Sequence, residues 1–445
     1  MSIFPFWIIS LVMTAQKQQH RNAIVILDPV TEWKPVLQAA ARKNNMVVLS
    51  VQLSPIDDHM RKFLPTRSML KEAGAEFVLD LQDRDIFSCA QKLKVLEQEQ
   101  NLVLRGVIPL AETAVDFSDT LCSLLGIRHH NPLDLALARR DKGFMKQAVQ
   151  ARGLRVATYA RVGSVDDMRK SIQSLALTLP VVIKTPQGFS TTDVYVCETM
   201  GAVESATRKI LNGKGPDGRS VQQVLLEEYI GGTEFAVNVL AFDGHVTATN
   251  VWKYTKSESA RYDSAIVCDM EDPGLADVIS YALGVAKAVG VEFGAGHVEL
   301  KAQQSQTDPN HYIDPIMMEV GARLSGGMKT TMTKEVLRGT WDPFDALIAA
   351  HCGEKPELPA SFSPRLFCKH LFLPIPKSGI VKQINLDLTG LTTVHSSAII
   401  VQEGEAVKET TDIVSCAGFV WLVGQQSTVE QESELIRTRF TIEID

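Results

Sequence analysis

Residues 316–327 read IMMEVGARLSGG, and the way Glu319 is accommodated decides the fold. An isoleucine and two methionines suit a strand core, yet a carboxylate follows them and Arg323 comes four positions later. An unpaired charge inside a protein costs several kcal/mol, so something must compensate Glu319. In HVELK, residues 297–301, alternation puts His297, Glu299 and Lys301 on one face, and in IMMEV Met317 and Glu319 share a face. The polar stretch AQQSQTDPNH between the two segments reads as the turn of a hairpin. If the strands pair, both carboxylates point into one cleft, which is unfavourable unless a cation sits between them. Mg²⁺ takes one or two carboxylates and fills its other positions with water and substrate phosphates. An ion pair of Glu319 with Arg323, or a carboxylate facing water, is the plain alternative, and these residues alone do not decide between the two.

Two further stretches bear on the choice. PVVIKTPQGFSTTDVYV, residues 180–196, is a strand ending at Lys184, a loop rich in Gly, Ser and Thr, and a returning strand. Successive backbone N–H groups in such a loop form an anion-binding concavity, and the lysine adds a point charge. A polar hairpin turn is the bland reading. VLLEEYIGGTEFAVNV, residues 224–239, passes through Glu227, Glu228, Tyr229 and Ile230 before Gly231-Gly232 and resumes at Glu234. Such a backbone edge can hydrogen-bond an adenine while a later carboxylate takes the ribose hydroxyls; read alone it is a hairpin with exposed acids. GKGPDGRS at 213–220 only imitates a phosphate loop, because Arg219 replaces the lysine and a strand follows where a helix is required. GFSTT lacks the second glycine of a nucleophile elbow, and His129 and His130 read as a solvated pair at a helix entrance.

Around these segments, the front of the chain alternates short apolar runs (AIVILD, MVVLSV, FVLDL, LRGVIPL) with helical patterns, which predicts a parallel sheet covered by helices. No G-x-G-x-x-G follows the first strand, so a dinucleotide fingerprint is missing. A long helical stretch entered through Asn131-Pro132 and running to Leu154 separates this part from an antiparallel-rich α+β region. Beyond His351 a smaller β-rich lobe ends in a helix over 428–438. The fold class is thus α/β and α+β, with an N-terminal extension at 1–20, an α/β domain at 21–130, a central domain at 131–350 whose small lobe covers about 155–230, and a C-terminal lobe at 351–445. A net charge of −7 without a basic stripe argues against nucleic-acid binding. Seven scattered cysteines, none in a C-x-x-C pair, read as reduced thiols. The apolar N-terminal MSIFPFWIISLVMTAQ is too short to span a bilayer and lacks a positive leader region, so the expectation is a cytoplasmic protein with no membrane partner, its first dozen residues disordered, a small packing helix or an artefact of start choice with Met13 as the true start; an uncleaved or cryptic signal is the alternative.

Taken in order, RRDKGFMK, VVIKTPQGFSTTDV, LLEEYIGGTEF, and HVELK followed by MEVGARLSGG resemble the ATP-grasp superfamily of carboxylate-amine ligases. Within it they look most like the ligases that join two L-amino acids into a dipeptide. The resemblance implies an ATP-grasp fold with a parallel βαβ pre-ATP-grasp domain, ATP and Mg²⁺ (or Mn²⁺) as cofactors, carboxylate and amine substrates, and a homodimer. It also implies roles: Lys142 and Lys184 on the phosphates, with Gly188 and Ser190 in the closing loop; Glu227, Glu228 and Ile230 at the adenine; Glu234 on the ribose; Glu299 and Glu319 on the metal; Arg323 steadying the developing negative charge. In NVWKYTKSESARYDS, residues 250–264, the cluster of Trp252, Lys253, Tyr254, Arg261 and Tyr262 is a candidate amino-acid site, with a surface loop as the equal alternative. Ser325, Gly326 and Met328 follow Arg323 closely enough to line the same pocket, with His297 as a supporting group. One departure stands out: many ATP-grasp enzymes carry Asn two residues after the second glutamate, where this chain has Gly321. A ligase for another carboxylate and amine, and a nucleotide-binding subunit without catalysis, are the competing readings.

Overall fold

The computed structural model describes residues 20–43, 46–53, 64–81, 84–188, 193–215, 220–256, 262–413 and 415–445. The expectations for the N-terminal extension, for Ser190 and for Arg261 fall outside them.

The first apolar runs form β1 (Arg21–Leu27), β2 (Met46–Leu53), β3 (Phe77–Leu81) and β4 (Leu102–Pro109), a parallel sheet in the order β3-β2-β1-β4. Helices α1 (Trp33–Arg42), α2 (Arg67–Glu72), α3 (Ile86–Glu99) and α4 (Val115–Leu125) complete this part. Both faces of the sheet are covered, Ile24 and Ile26 in one core and Ala23, Val25 and Leu27 in another, which is why the central strand β1 is apolar without a break from Ala23 to Leu27. The helix expected from Asn131 to Leu154 is shorter. Two 3₁₀ turns, Leu133–Leu135 and Leu137–Arg139, come first, and α5 (Lys142–Ala151) starts afresh at Asp141, whose carboxylate accepts the Gly143 and Phe144 N–H groups. A competent N-cap starts a helix where continuous periodicity would have run through it.

The small lobe is an antiparallel sheet, β5-β8-β6-β7, made of β5 (Tyr159–Val162), β6 (Val181–Lys184), β7 (Val194–Cys197) and β8 (Val224–Glu228). It packs Val162, Val181, Ile183 and Leu226 against Met168 of α6 (Val165–Ser174) and against Val203 and Ile210 of α7 (Met200–Leu211).

Beyond it lie β9 (Thr233–Phe242), β10 (His245–Lys256), β11 (Tyr262–Cys268), α8 (Ala276–Ala288), β12 (Gly294–Gln304), β13 (Tyr312–Gly321), α9 (Lys329–Val336) and α10 (Pro343–His351). The C-terminal part adds β14 (Phe367–Leu373), β15 (Gly379–Leu386), β16 (Val394–Ile399), β17 (Ala406–Val407), β18 (Gly418–Gly424), α11 (Gln426–Arg439) and β19 (Phe440–Ile444). The main sheet has eight strands in the order β13-β12-β9-β10-β11-β14-β18-β16, so three C-terminal strands continue it across the β11–β14 pair. Only β17-β15-β19 form a sheet of their own. One face of the main sheet, through Phe235, Val237, Val298 and Met317, packs on Val278, Ala282 and Val285 of α8. The opposite face carries Ala236, Trp252, Tyr254, Ala265 and Trp421 towards α9 and α10. Among the described residues no helix is long and apolar enough to cross a membrane, and all seven cysteines are free.

Candidate active site

The hairpin expected from HVELK and IMMEV is present, and Glu299 of β12 stands directly opposite Glu319 of β13. Their row continues across the sheet to Ala236 on β9 and Trp252 on β10. Residues opposite each other in antiparallel strands share a face. Both acids therefore open onto the face that also bears His297, Lys301, Glu234 and Tyr254.

Each acid has its own neighbour. Glu319 Oε1 accepts from Lys142 Nζ at 2.9 Å, and that ammonium also donates to the Gly188 carbonyl at 2.6 Å. Arg323 does not pair with Glu319. Its Nε donates to Glu112 Oε2 at 2.7 Å and its Nη1 to the Leu324 carbonyl at 2.7 Å. The expected alternative of a Glu319–Arg323 pair is thus replaced by two separate pairs. Glu299 Oε1 lies 3.0 Å from His297 Nε2, and His297 Nδ1 lies 2.7 Å from Asn238 Oδ1. Asn238 in turn donates to Asn250, and Asn250 to Thr333 of α9. Burial pushes the Glu299 carboxyl up, but the His297 hydrogen bond and the nearby cationic Lys329 and Arg323 prevail and hold it below the ordinary carboxylate range. His297 is therefore a supporting group beneath an acid.

Gly321 occupies the Asn position because of Glu112. A Cβ at Gly321 would lie 3.0 Å from Glu112 Oε2 and 3.5 Å from Arg323 Cγ, so the space an asparagine needs belongs to the acid that orients Arg323.

Lys184, at the end of β6, reaches Glu227 Oε1 at 2.9 Å and the Met318 carbonyl at 3.5 Å. Lys146, one helical turn beyond Lys142, approaches the same Glu227 oxygen at 3.3 Å. Glu227 and Lys146 are fully buried. Burial lowers the Lys146 ammonium to about 8 although Glu227 opposes it, while the two lysines hold the Glu227 carboxyl below its ordinary range despite its burial. Glu227 thus faces its lysines, and only its backbone remains for an adenine. Glu228 is tied to Thr158 through both backbone N–H and carboxylate. The Ile230 carbonyl accepts from Lys301 Nζ at 3.0 Å, which leaves the amide side of that edge. Glu234 accepts from Tyr262 Oη at 2.7 Å and meets Lys256 at 3.2 Å.

The cluster expected around Trp252 divides by strand alternation. Trp252 and Tyr254 are buried on the acid-bearing face, whereas Lys253 points the other way, over the Tyr312 ring on the α8 side. Lys253 accordingly does not join the site. Ser325 is buried, with a hydroxyl lacking a partner among the described residues, and Gly326 is exposed above it. Met328, in a left-handed conformation, leads into α9.

Lys329, His370, Glu112 and Glu32 belong to the site and were not anticipated. Lys146 stood inside a quoted motif, four residues after Lys142 on a helical pattern, and that spacing could have exposed it. Nothing in the local sequence marks the others.

Two carboxylates with water and phosphate oxygens suit a hard divalent cation, and the facing pair Glu299 and Glu319 provides that donor set. Among the described residues no group of three or more His, Cys, Asp or Glu side chains converges, so these two acids with substrate oxygens are the donors such an ion would have.

Residues 177–331 match the family model of the ATP-grasp domain. Dapdiamide A synthase of Enterobacter agglomerans is 26% identical over 268 residues, 60% of this chain and 61% of that protein. An L-arginine-specific L-amino acid ligase of Bacillus subtilis is 23% identical over 197 residues, 44% of this chain and 45% of that protein. The chain thus matches less than two thirds of the length of either. The crystal structure of an L-amino acid ligase from Bacillus licheniformis superposes with a TM-score of 0.73 at 18% identity, covering 96% of this chain and 99% of that one. That likeness is one of fold.

Proposed function

The chain carries an ATP-grasp domain, and from that premise we propose that it is an ATP-dependent carboxylate-amine ligase joining two L-amino acids into a dipeptide with release of ADP and phosphate. The observation that carries the proposal is the convergence of Lys142 on Glu319, itself opposite Glu299, with Lys184 reaching the backbone beside them. A carboxylate is a poor electrophile, and its attack on the γ-phosphate brings anions together. Lys142 and Lys184 would hold the phosphates and offset that repulsion, and Glu299 and Glu319 would hold Mg²⁺, which supplies Lewis-acid neutralisation of the phosphoryl oxygens when bound. The peptide edge from Glu227 to Ile230 would receive the adenine and Glu234 the ribose. The acyl phosphate is then attacked by the amine of the second substrate. Arg323, fixed by Glu112, would donate to the oxyanion of the tetrahedral intermediate. The loop around Gly188 would shield the acyl phosphate from water.

Several features support parts of this reading. The seven free cysteines suit a reducing cytoplasm, and the two relatives named above are called a dapdiamide synthase and an amino acid ligase. The homodimer is proposed on resemblance and is checked by sedimentation.

The test uses purified protein, ATP, Mg²⁺ or Mn²⁺, and pairs of amino acids, with ADP release and dipeptide mass as readouts. Release confined to particular pairs, lost on chelation and in Glu319→Ala, is expected. Nucleotide binding without ADP release for any pair would leave the non-catalytic reading.

A further inference from the structure

Among the buried lysines, Lys142 pairs with Glu319, Lys146 and Lys184 with Glu227, and Lys369 with Glu430. Lys329, only 5% exposed, forms no ion pair among the described residues. Its ammonium donates to the Gly326 carbonyl at a long 3.4 Å and lies 5.4 Å from the Tyr254 ring centroid. The acids nearest in charge are committed elsewhere: Glu32 to Thr330 and Thr331, Glu299 to His297. A buried cation without a partner is costly, and a ligand of opposite charge relieves that cost.

Polar atoms without partners gather beside it. His370 on β14 lies opposite Ala265 on one side and Trp421 on the other, and Ala265 lies opposite Tyr254, so all four share the face that bears Glu299. His370 is buried, stacked on Trp421 at 3.7 Å, and neither of its ring nitrogens has a partner among the described residues. The indole nitrogens of Trp421 and Trp252, whose rings meet edge to face at 5.6 Å, are likewise without partners among the described residues. Gly327 is exposed and marks where the group meets solvent: a Cβ there would lie 3.5 Å from His370 Cε1 and 3.9 Å from Lys329 Nζ.

We propose that Lys329, with His370, binds the carboxylate that is not activated, the free α-carboxylate of the amine-donating amino acid. This rests on the ligase reading. The chemistry requires such a site: both substrates carry a carboxylate, only one is phosphorylated, and the other must be held by a cation away from the triphosphate. Lys142, Lys184 and Arg323 already have carboxylate partners at ion-pair distance, whereas Lys329 has none among the described residues; Glu299 and Glu32 act on it through charge alone, and His370 beside it is a neutral group able to donate a hydrogen bond to a carboxylate. The Tyr254, Trp252 and Trp421 rings place aromatic surface beside that anchor.

The test compares wild type, Lys329→Met, Lys329→Arg and His370→Phe. Steady-state ADP release is measured for both amino acids of an active pair, and for each amino acid against its carboxamide. In Lys329→Met the KM of one amino acid rises at least tenfold while the KM values of ATP and of the other stay within twofold, and wild type's preference for the acid over the amide disappears for that substrate alone. Lys329→Arg restores part of the preference, and His370→Phe, which keeps the stacking, raises the same KM a few-fold. KM values that all rise together, or a fall in kcat alone, overturn the proposal. Binding is read independently as the thermal shift produced by each of the common amino acids in the presence of ADP and Mg²⁺. If wild type releases no ADP with any pair but shows a shift that Lys329→Met loses, the ligase reading fails and this site stands; identical shifts in the two proteins, or none in either, overturn the site.

Discussion

Replacing Glu227 by glutamine keeps the side chain's shape and removes the only carboxylate between two buried ammonium groups. Lys146 and Lys184 approach one oxygen of Glu227 at 3.3 and 2.9 Å. Their nitrogens are therefore no more than about 6 Å apart, and at an effective dielectric constant near 20 their repulsion is about 3 kcal/mol. Removing one partner of a buried pair costs about 3–5 kcal/mol in other proteins, which agrees in size. Glu227→Gln should lower the free energy of unfolding by that amount in urea titration. The sign of its pH dependence follows from the lysines. Lys146 is already held at about 8 by burial. Glu227 opposes that shift, so its loss lowers the lysine further, and the unfolded chain then binds more protons than the folded one between the folded value and about 10.4. Stability contributed there is complete above the unfolded value and is lost as pH falls through the folded one. Wild type and variant gain stability alike between about 8 and 10.4, so the variant's deficit should shrink as pH is raised from the lysine's lowered folded value to about 8 and stay level above it. Lys146→Met combined with Glu227→Gln should cost less than the sum of the single changes by at least about 1 kcal/mol, since the double variant removes one of the repelling charges. A deficit within about 0.5 kcal/mol of zero that does not change with pH would refute this account of the triad.

Glu112→Gln should leave Arg323 without its fixed orientation, lowering kcat of ADP release on the order of tenfold to a hundredfold with a stability loss of about 1–3 kcal/mol; an unchanged kcat removes Glu112 from the mechanism. Gly321→Asn should lower activity and cost about 1–3 kcal/mol, because the new side chain must displace the Glu112 carboxylate; activity at or above wild type contradicts the reason given for the glycine. His351 is buried, and burial holds its imidazole at about 4 against a backbone hydrogen bond to Val107 that raises it. The unfolded chain therefore takes up the proton first as pH falls below 6.5, and about 3 kcal/mol of stability should be lost between 6.5 and about 4. His351→Gln should flatten that part of the urea-stability profile, and an unchanged slope assigns it to other groups.

The sequence disclosed the parts of the site that are local. The hairpin and its two acids were legible, but strict alternation was not: Met317 and Glu319, expected on one face, lie on opposite faces, because the register shifts by one residue between the Glu299–Glu319 and Leu300–Met317 pairs and turns Glu319 towards Glu299. The run from Val224 to Val239 is the strand, turn and strand that its glycines and acids suggested. Alternation also contained the correction to the Trp252 cluster, since Lys253 lies between two residues of the opposite face. What stayed hidden is long-range. Arg323 and Glu112 are separated by 211 positions, and Thr331 and Glu32 by 299, so no local window could join them. Asp141 shows a weaker failure. The apolar pattern is continuous across Asp141, but its carboxylate caps Gly143 and Phe144 and starts the helix there.

Those distant pairs share one physical origin. Glu32 follows β1 and Glu112 follows β4, and β1 and β4 are neighbours in the parallel sheet, so both acids stand at the carboxyl ends of adjacent strands, where α/β sheets present their loops. Neither reaches a substrate in the proposed mechanism; each holds something that does. The Glu32 carboxylate accepts the Thr330 and Thr331 N–H groups at 2.8 Å and so occupies the amino end of α9, the helix that opens with Lys329. A carboxylate there satisfies donors that the helix leaves open and complements its dipole. Glu32 adopts a left-handed φ of 46°, a conformation costing about 1 kcal/mol for a residue with a Cβ, and hydrogen bonds to a charged group, worth about 1.5–3 kcal/mol each, outweigh it. Glu112 does the same for Arg323. The loops of the parallel sheet thus hold Arg323 directly, through Glu112, and the amino end of the helix that opens with Lys329, through Glu32, so separating the sheet from the other lobes would release both at once.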